Sequence, residues 1–412
     1  MTNLRSRNYL FASKSVRGLA KLAGVSGDVS LRELMELLGP AEFAPRPVYV
    51  LGHNTNSHAE VIEAFEAGAN GLEIDITPYA MRPDELCVAH RGGAGNGYGV
   101  EEDPPLVSFL QFLREQAEAR GSQFALLMLD VKPYATKPEH GKLMLEAVRD
   151  HLIDEANPIN LIISTARFDY RSLFQKIAPM LRPREAIMID EEDEAGPIEK
   201  YFTETLGLRP QGYGNGSSVF SDMATDLRTG VQNACWIRAQ RGGFNFVYSW
   251  VVNASDNQLE WLKIGVDGMV TDDCNQLFNL VKTGITPTRM ATRSDNPFMP
   301  SNAAYGLKVK TGANGTDSDI KFTLHGEHGS ASIVYNSGHS DRMELGQTNY
   351  IVLPSRDLGE LTSISVQSDQ SGIFSDWWLD TIQVESYRYG VNKSATFNRL
   401  IDSTAELSKP LV

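Results

Sequence analysis

Cysteine is scarce. The 412-residue chain holds three, Cys87, Cys235 and Cys274, far apart and odd in number. They do not make a disulfide framework and read as core or lightly buried thiols. Long apolar runs are missing as well: no segment approaches the roughly 20 apolar residues of a membrane span. The first stretch, MTNLRSRNYLFASKSVRGLAKLAG, is basic and mildly amphipathic. It lacks the uninterrupted apolar core and small-residue cleavage site of a signal peptide, so no export signal is expected there. Positive charge is in deficit: 38 Lys and Arg against 52 Asp and Glu give a formal net charge of -14. That disfavours non-specific nucleic-acid binding, and no nucleic-acid partner is expected. Membrane contact through apolar loops stays open. No GxGxxG follows the first strand, which weighs against a dinucleotide fold.

The chain is too long for one typical domain. With 42% hydrophobic and 9% aromatic residues it can build a sizeable core. Residues 1–45 read as an N-terminal extension, in which SLRELMELLG has helical spacing, Ser30 as N-cap and Gly39 as stop. From Arg46 strands and helices alternate. The strand runs are VYVLGH, GLEIDIT, ELCVAH, FALLMLDVK, NLIISTAR, EAIMIDE, a weak GSSVF, FNFVYSWVV and DGMVTDD. Strand–helix pairs over 46–286 match the size of an α/β fold of the (β/α)₈ TIM-barrel type; a doubly wound open sheet is the alternative. Residues 287–303 are rich in Pro, Ser, Thr and Asn and read as a boundary. Over 304–390 the runs become short, alternating and separated by Gly, Asn, Asp and Ser, the pattern of an antiparallel β-sandwich. Residues 391–412 read as a tail.

The chemistry gathers in residues 47–132. Four apolar runs there end in polar groups: His53, then Glu73 with Asp75, then His90, then Asp130 with Lys132. A strand that is polar only at its end reads as a buried parallel strand delivering a side chain to one rim. Glu73 and Asp75 are two apart and share a face. Three carboxylates at one rim suit Mg²⁺ or Ca²⁺. The alternative is that they pair with Lys132 and nearby arginines. Two flanking histidines favour the metal reading, since histidine near neutral pH serves as nucleophile, base or acid. A metal that holds a phosphate, with one histidine on each side of the phosphorus, makes an in-line phosphodiester site. One histidine attacks or activates, the other protonates the leaving oxygen, and Lys132 adds a cation.

AHRGG at 89–93 looks like the first-histidine motif of glycerophosphodiester phosphodiesterases, but no Glu-x-Asp strand follows it. His53 has Glu73 and Asp75 at the right distance, so His53 is the first histidine and His90 the second. With GHNTN, GLEIDI, His90, LDVK, YSW, DGMVTDD and ATRSDNPF in place, residues 47–298 resemble the phospholipase D toxins of the sphingomyelinase D type. The resemblance implies a TIM barrel, His53 as nucleophile and His90 as general acid/base. It implies Glu73, Asp75 and Asp130 as Mg²⁺ ligands, Lys132 on the phosphate, and Tyr248 and Trp250 lining the head-group side, where an aromatic face suits choline. It also implies a cyclic phosphate product, formed when the substrate's own hydroxyl attacks. Relatives are often secreted. Two departures stand out. The loop after His90 lacks the cysteine of the spider enzymes. Asn253 and Asp272 stand where an Asp and an Asn are expected; if they face each other, the acid–amide pair is kept.

The stretch 304–390, with TG-x-x-GTDSD, DLG and W-x-L-D-x-I-x-V, resembles a PLAT domain, which implies docking on a membrane or protein partner, sometimes with Ca²⁺. Asp317, Asp319, Asp341 and Asp369 lie in expected loops as candidate oxygen ligands, with solvated turn acids as the alternative. Of the adjacent Trp377 and Trp378, one is expected in the core. The expectation is a monomeric Mg²⁺-dependent phospholipase D acting on sphingomyelin or lysophospholipids at a lipid surface. A phosphodiesterase of water-soluble diesters is the first rival. A catalytically silent lipid- or partner-binding protein is the second, and the intact His53, His90, Glu73, Asp75 and Asp130 set argues against it.

Overall fold

The computed structural model describes residues 45–92, 96–190, 195–208, 211–216, 225–283, 288–298, 304–336, 342–355 and 357–412. The expected helix around Ser30 and Gly39, the acid Asp341 and residues 217–220 of the GSSVF run lie outside them. The chain divides into two compact units, Pro45–Cys235 with Gly242–Ser301, and Asn302–Val412 with Trp236–Arg241. None of the described helices is long and apolar enough to cross a membrane.

In the first unit the strands are β1 (Arg46–Gly52), β2 (Gly71–Pro78), β3 (Leu86–Val88), β4 (Leu126–Val131), β5 (Asn160–Thr165), β6 (Glu185–Asp190), β7 (Gly212–Gly216), β8 (Phe246–Trp250), β9 (Gly268–Thr271) and β10 (Thr288–Met290). Parallel pairing runs β1-β2-β4-β5-β6-β7-β8-β9 and returns from β9 to β1 through Tyr49↔Gly268 to Gly52↔Thr271. Eight strands close a ring, so the open-sheet alternative falls: it would leave two edges. Side chains alternate along a strand. Tyr49 and Leu51, Leu126 and Met128, Ile162, Met188, Phe246 and Tyr248 therefore meet in one buried cluster. The next same-face positions toward the carboxyl ends are His53, Asp130, Ser164, Asp190 and Trp250, and on β2 Glu73 is followed by Asp75. The lower levels of the ring are apolar and its upper rim is polar.

Two strands differ from expectation. β3 pairs antiparallel with β2 through Ile76↔Val88 to Pro78↔Leu86, so it is an extra ribbon outside the ring. His90 thus comes from a loop beyond a hairpin, not from a parallel strand end. The sixth ring strand is GYGNG at Gly212–Gly216, overlapping only the first residue of the expected GSSVF. Its glycines are there for space. A Cβ on Gly212 would lie 2.3 Å from Met188 Cε, and one on Gly214 2.1 Å from Tyr248 Cε1.

The helix α1 (His58–Glu66) follows β1 and starts with a reciprocal cap. Glu60 N donates to Ser57 Oγ (3.3 Å) and Ser57 N donates to Glu60 Oε2 (2.8 Å). This fixes the turn that carries His53–Asn56. At the other end of the ring, β10 pairs with the start of β1, and Ala291 and Phe298 join the interior cluster. Asn160 Nδ2 donates to Asp295 O (3.0 Å) and Arg293 Nε to Phe124 O (3.0 Å). The described part of the expected boundary, 288–298, is therefore the floor of the barrel.

The second unit has two antiparallel sheets. One, in the order β14-β11-β16-β17, holds β11 (Ala304–Thr311), β14 (Thr348–Pro354), β16 (Trp377–Ser386) and β17 (Val391–Ile401). The other, in the order β13-β12-β15-β18, holds β12 (Asp319–Gly326), β13 (Gly329–Asn336), β15 (Leu361–Ser368) and β18 (Leu407–Pro410). Trp377, Phe322, Val366 and Ile382 pack in the buried core between them. Trp377 is the core tryptophan and Trp378 is half-buried. The expected tail from 391 onward is instead two strands. β17 pairs along β16 from Trp377↔Ile401 to Ser386↔Val391, and Phe397, Ile401 and Leu411 belong to the core.

Candidate active site

At the carboxyl-end rim of the barrel, Glu73, Asp75 and Asp130 each bring an oxygen within 4.8 Å of the others. Glu73 and Asp75 are buried. The turn after β1 shapes them: Asn54 N donates to Glu73 Oε2 (2.7 Å), and Asn56 Nδ2 donates to Asp75 Oδ2 (2.5 Å) while Asn56 Oδ1 accepts from Asp75 N (2.8 Å). Lys132, expected on the phosphate, places its ammonium between Asp75 and Asp130.

Burial and the neighbouring Asp75 and Asp130 push the Glu73 carboxyl well above the usual range. Asp75 is also desolvated, but hydrogen bonds from His90, Lys132 and Asn56 outweigh that and hold it well below. Burial opposes the charge on Lys132, yet the surrounding carboxylates raise its pKa further. The three acids hold more negative charge than one ammonium balances. Asp130 Oδ1 is buried and accepts no hydrogen bond. An all-oxygen set with a surplus charge and an orphaned acceptor fits a hard divalent cation. Such an ion would polarise a phosphoryl oxygen and offset its developing charge.

Each histidine is aimed through Nδ1. His53 Nδ1 lies 2.7 Å from Asp272 Oδ1 and His90 Nδ1 lies 3.2 Å from Asp75 Oδ2. A carboxylate on Nδ1 fixes the tautomer and leaves Nε2 for substrate chemistry. The structure puts Asn253 and Asp272 face to face: Asn253 Nδ2 donates to Asp272 Oδ2 (2.7 Å), and Asn253 Oδ1 accepts from Asp272 N (2.9 Å) and Thr271 Oγ1 (3.0 Å). The cysteine-free loop after His90 is braced otherwise. Arg91 Nε donates to Asp103 Oδ2 (3.0 Å), and Thr77 Oγ1 donates to Gly97 O (2.9 Å). Tyr98 stacks on Tyr134 at 4.0 Å between ring centroids.

The sequence reading missed Asn56, Ser164 and Asp190. Asp190 ends β6, and Asp130 stands one residue before the end of β4, so the same rule of a polar residue closing an apolar run would have found it. Its carboxyl accepts from the Tyr248 hydroxyl and from Ser164 Oγ (3.2 Å), and burial pushes it up to about 8. Tyr248, expected on the head-group side, is thus buried beneath the rim with its hydroxyl committed to Asp190. Trp250 is half-buried against the interior cluster. In the sandwich, the side-chain oxygens of Asp317, Asp319 and Asp369 do not converge as a group of three. Among the described residues only Glu73, Asp75 and Asp130 do. Asp369 Oδ1 accepts from Asp319 N (3.0 Å) and Ser371 N (2.9 Å), tying its own turn to the start of β12, while its Oδ2 is buried without a hydrogen bond.

Fold and site together define a TIM-barrel phosphodiesterase. The profile of the family described as dermonecrotic toxin SPH matches residues 43–298, and the chain belongs to that family. The PLAT/LH2 domain profile matches residues 305–405, so the C-terminal sandwich is a PLAT domain. A dermonecrotic toxin of Hemiscorpius lepturus is 24% identical, over 61% of this chain and 84% of that protein. A sphingomyelinase D of Trichophyton rubrum is also 24% identical, over 62% and 83%. A glycerophosphodiester phosphodiesterase of Caldanaerobacter subterraneus is 25% identical, over 56% and 93%.

Proposed function

We propose that this chain is a Mg²⁺-dependent phospholipase D that removes the head group from sphingomyelin or lysophospholipids. The observation that carries it is the pair of histidines, each held through Nδ1 by a carboxylate, beside three convergent acids. Glu73, Asp75 and Asp130 would hold the metal, which when bound would supply charge neutralisation at the phosphate. His53 Nε2 acts as nucleophile or, where the substrate's own hydroxyl attacks, takes that hydroxyl's proton. In either route the bond to the head-group oxygen breaks as the new bond to phosphorus forms: an oxygen–phosphorus bond where the substrate's hydroxyl attacks, or a His53 nitrogen–phosphorus bond that water or that hydroxyl then displaces. His90 gives that oxygen its proton. Asp272 and Asn253 keep His53 aimed. The lipid half of the reading rests on the sphingomyelinase D relative and on the PLAT domain.

The test is ³¹P NMR of the protein with Mg²⁺ and, separately, sphingomyelin, lysophosphatidylcholine, lysophosphatidylethanolamine and glycerophosphocholine. A cyclic phosphate signal from a lipid substrate is expected, and His53→Ala or a Glu73→Gln/Asp75→Asn double variant should abolish it. The 25% identical glycerophosphodiester phosphodiesterase favours a second reading, turnover of water-soluble diesters. Turnover of glycerophosphocholine alone would select it.

A further inference from the structure

Asp272 aims His53, but nothing about Asp272 alone keeps it there. Its side chain is 59% exposed just beyond the end of β9, where water competes for both oxygens. The groups behind it are buried. Gln258, in the helix Ser255–Ile264, and Thr271, the last residue of β9, are both 0% exposed. Gln258 Nε2 donates to Val252 O (2.9 Å) and to Thr271 Oγ1 (3.2 Å). Thr271 Oγ1 also accepts from Asp273 N (3.1 Å) and donates to Asn253 Oδ1 (3.0 Å). From the helix Cys274–Lys282, Gln276 Nε2 donates to Asn253 O (2.6 Å) and to Gln258 Oε1 (3.2 Å).

Backbone groups fix the direction of this chain of bonds. A carbonyl only accepts, so the Gln258 atom on Val252 O is the amide nitrogen. A hydroxyl has one proton and two lone pairs. Thr271 fills both lone pairs from Gln258 Nε2 and Asp273 N, so its proton goes to Asn253. Asp272 N only donates, and it meets the same Asn253 oxygen at 2.9 Å. The Asn253 Nδ2 is thereby turned to Asp272 Oδ2 (2.7 Å), and Asp272 Oδ1 is left for His53 Nδ1 (2.7 Å).

We infer that Gln258 and Thr271 are positioning residues that hold the Asp272 carboxylate on His53, and so keep the single ring proton of neutral His53 on Nδ1 with Nε2 bare. The inference deepens the proposed function and rests on it for the effect on turnover, though not for the state of the ring. Which ring nitrogen carries the proton is set by the partner of the other. A neutral imidazole without such a partner prefers its proton on Nε2, the nitrogen that attack or proton removal needs free. Loss of the buried backing therefore lets Asp272 turn to water and moves the proton to the wrong nitrogen.

The experiment is ¹⁵N NMR of the full chain with labelled histidine and Mg²⁺, with the ring neutral and the His53 signals assigned by their loss in His53→Ala. The parent should show the Nδ1–H form. Thr271→Val keeps the shape and removes the hydroxyl; Gln258→Met keeps the length and removes the donor. Each should shift His53 toward a mixture with the Nε2–H form. Each should also lower kcat on lysophosphatidylcholine about five- to tenfold, the rate equivalent of one net hydrogen bond, with KM unchanged. Thr271→Ser should restore both the ring state and kcat. If Thr271 acts through Asp272, Thr271→Val should cost almost nothing further in an Asp272→Ala background. A parent ring protonated on Nε2 would overturn the inference without any variant. So would an unchanged ring state in both Thr271→Val and Gln258→Met, even with a lower melting temperature, since that is a purely structural role. Full additivity with Asp272→Ala would overturn it as well. A shifted ring state with undiminished turnover would uphold the inference and overturn the part given to His53 Nε2 in the proposed function.

Discussion

At the scale of single residues, the His53 support is the sharpest case. Asp272 accepts from His53 Nδ1 on one oxygen and from Asn253 Nδ2 on the other. Asp272→Asn leaves two amide donors facing each other, and Asn253→Asp sets two carboxylates together. Each should lower kcat about 10- to 100-fold. The double exchange puts an amide oxygen on His53 and gives its amide N–H₂ a carboxylate at 253. It should recover part of the loss, and strict additivity in the double-mutant cycle would sink this account. Asp190 makes a second case. Its folded pKa, about 8, lies above its unfolded value. The unfolded chain therefore loses this proton first. Stability from the buried acid is complete below about pH 4 and falls as pH rises toward 8, by roughly 1.4 kcal/mol per pH unit inside that window. Asp190→Asn mimics the protonated form. In excess chelator its urea-denaturation stability should lose that slope, and a slope equal to the parent's would show that Asp190 titrates normally.

At the scale of elements, legibility follows side-chain character. β1, β2 and β4 are long, apolar and polar-ended, so the period and the end group both speak, and the rule picks out acids that the fold brings within 4.8 Å. β3 is three residues long, and nothing in LCV distinguishes an antiparallel ribbon from a ring strand. β7 is nearly silent because Gly212 and Gly214 sit where larger neighbours already fill the space. β17 alternates, but its exposed positions carry Asn, Ser, Thr and Arg and a half-buried Lys393 stands on the inward side, which hid a buried face of Ala395, Phe397 and Ile401. A consequence can be measured. A chain ending at Gly390 loses β17, one of the two partners of β16, and the β18 partner of β15, and strips Phe397, Ile401 and Leu411 from the core. Large-to-small changes at such sites cost about 2–5 kcal/mol each, so the truncated sandwich should not fold. Amide exchange of β11 and β16 in the truncated chain reads this directly, and protection equal to the parent's would mean that residues 391–412 are dispensable.

At the scale of the whole molecule, the metal expectation joins charge, stability and pH. A chain of net charge -14 attracts divalent cations diffusely, so weak binding alone says little. The barrel site adds a signature that diffuse attraction lacks. Glu73 is held well above the usual carboxylate range by burial and by Asp75 and Asp130, so protons compete with a metal for its oxygens. Mg²⁺ uptake should release protons, read by calorimetry in two buffers of different ionisation enthalpy. Affinity should rise with pH, because protons compete with the ion for the same oxygen. Glu73→Gln should remove the release even if weak binding persists. Binding to the folded state alone stabilises by about 2.7 kcal/mol at a hundredfold excess over Kd. Since the ligand set among the described residues lies in the barrel, that protection should appear in amide exchange of β2 and β4 and not in β12 or β15. Equal protection of both units, or uptake without proton release, would place the ion elsewhere on the acidic surface and leave Lys132 as the only cation among the three acids.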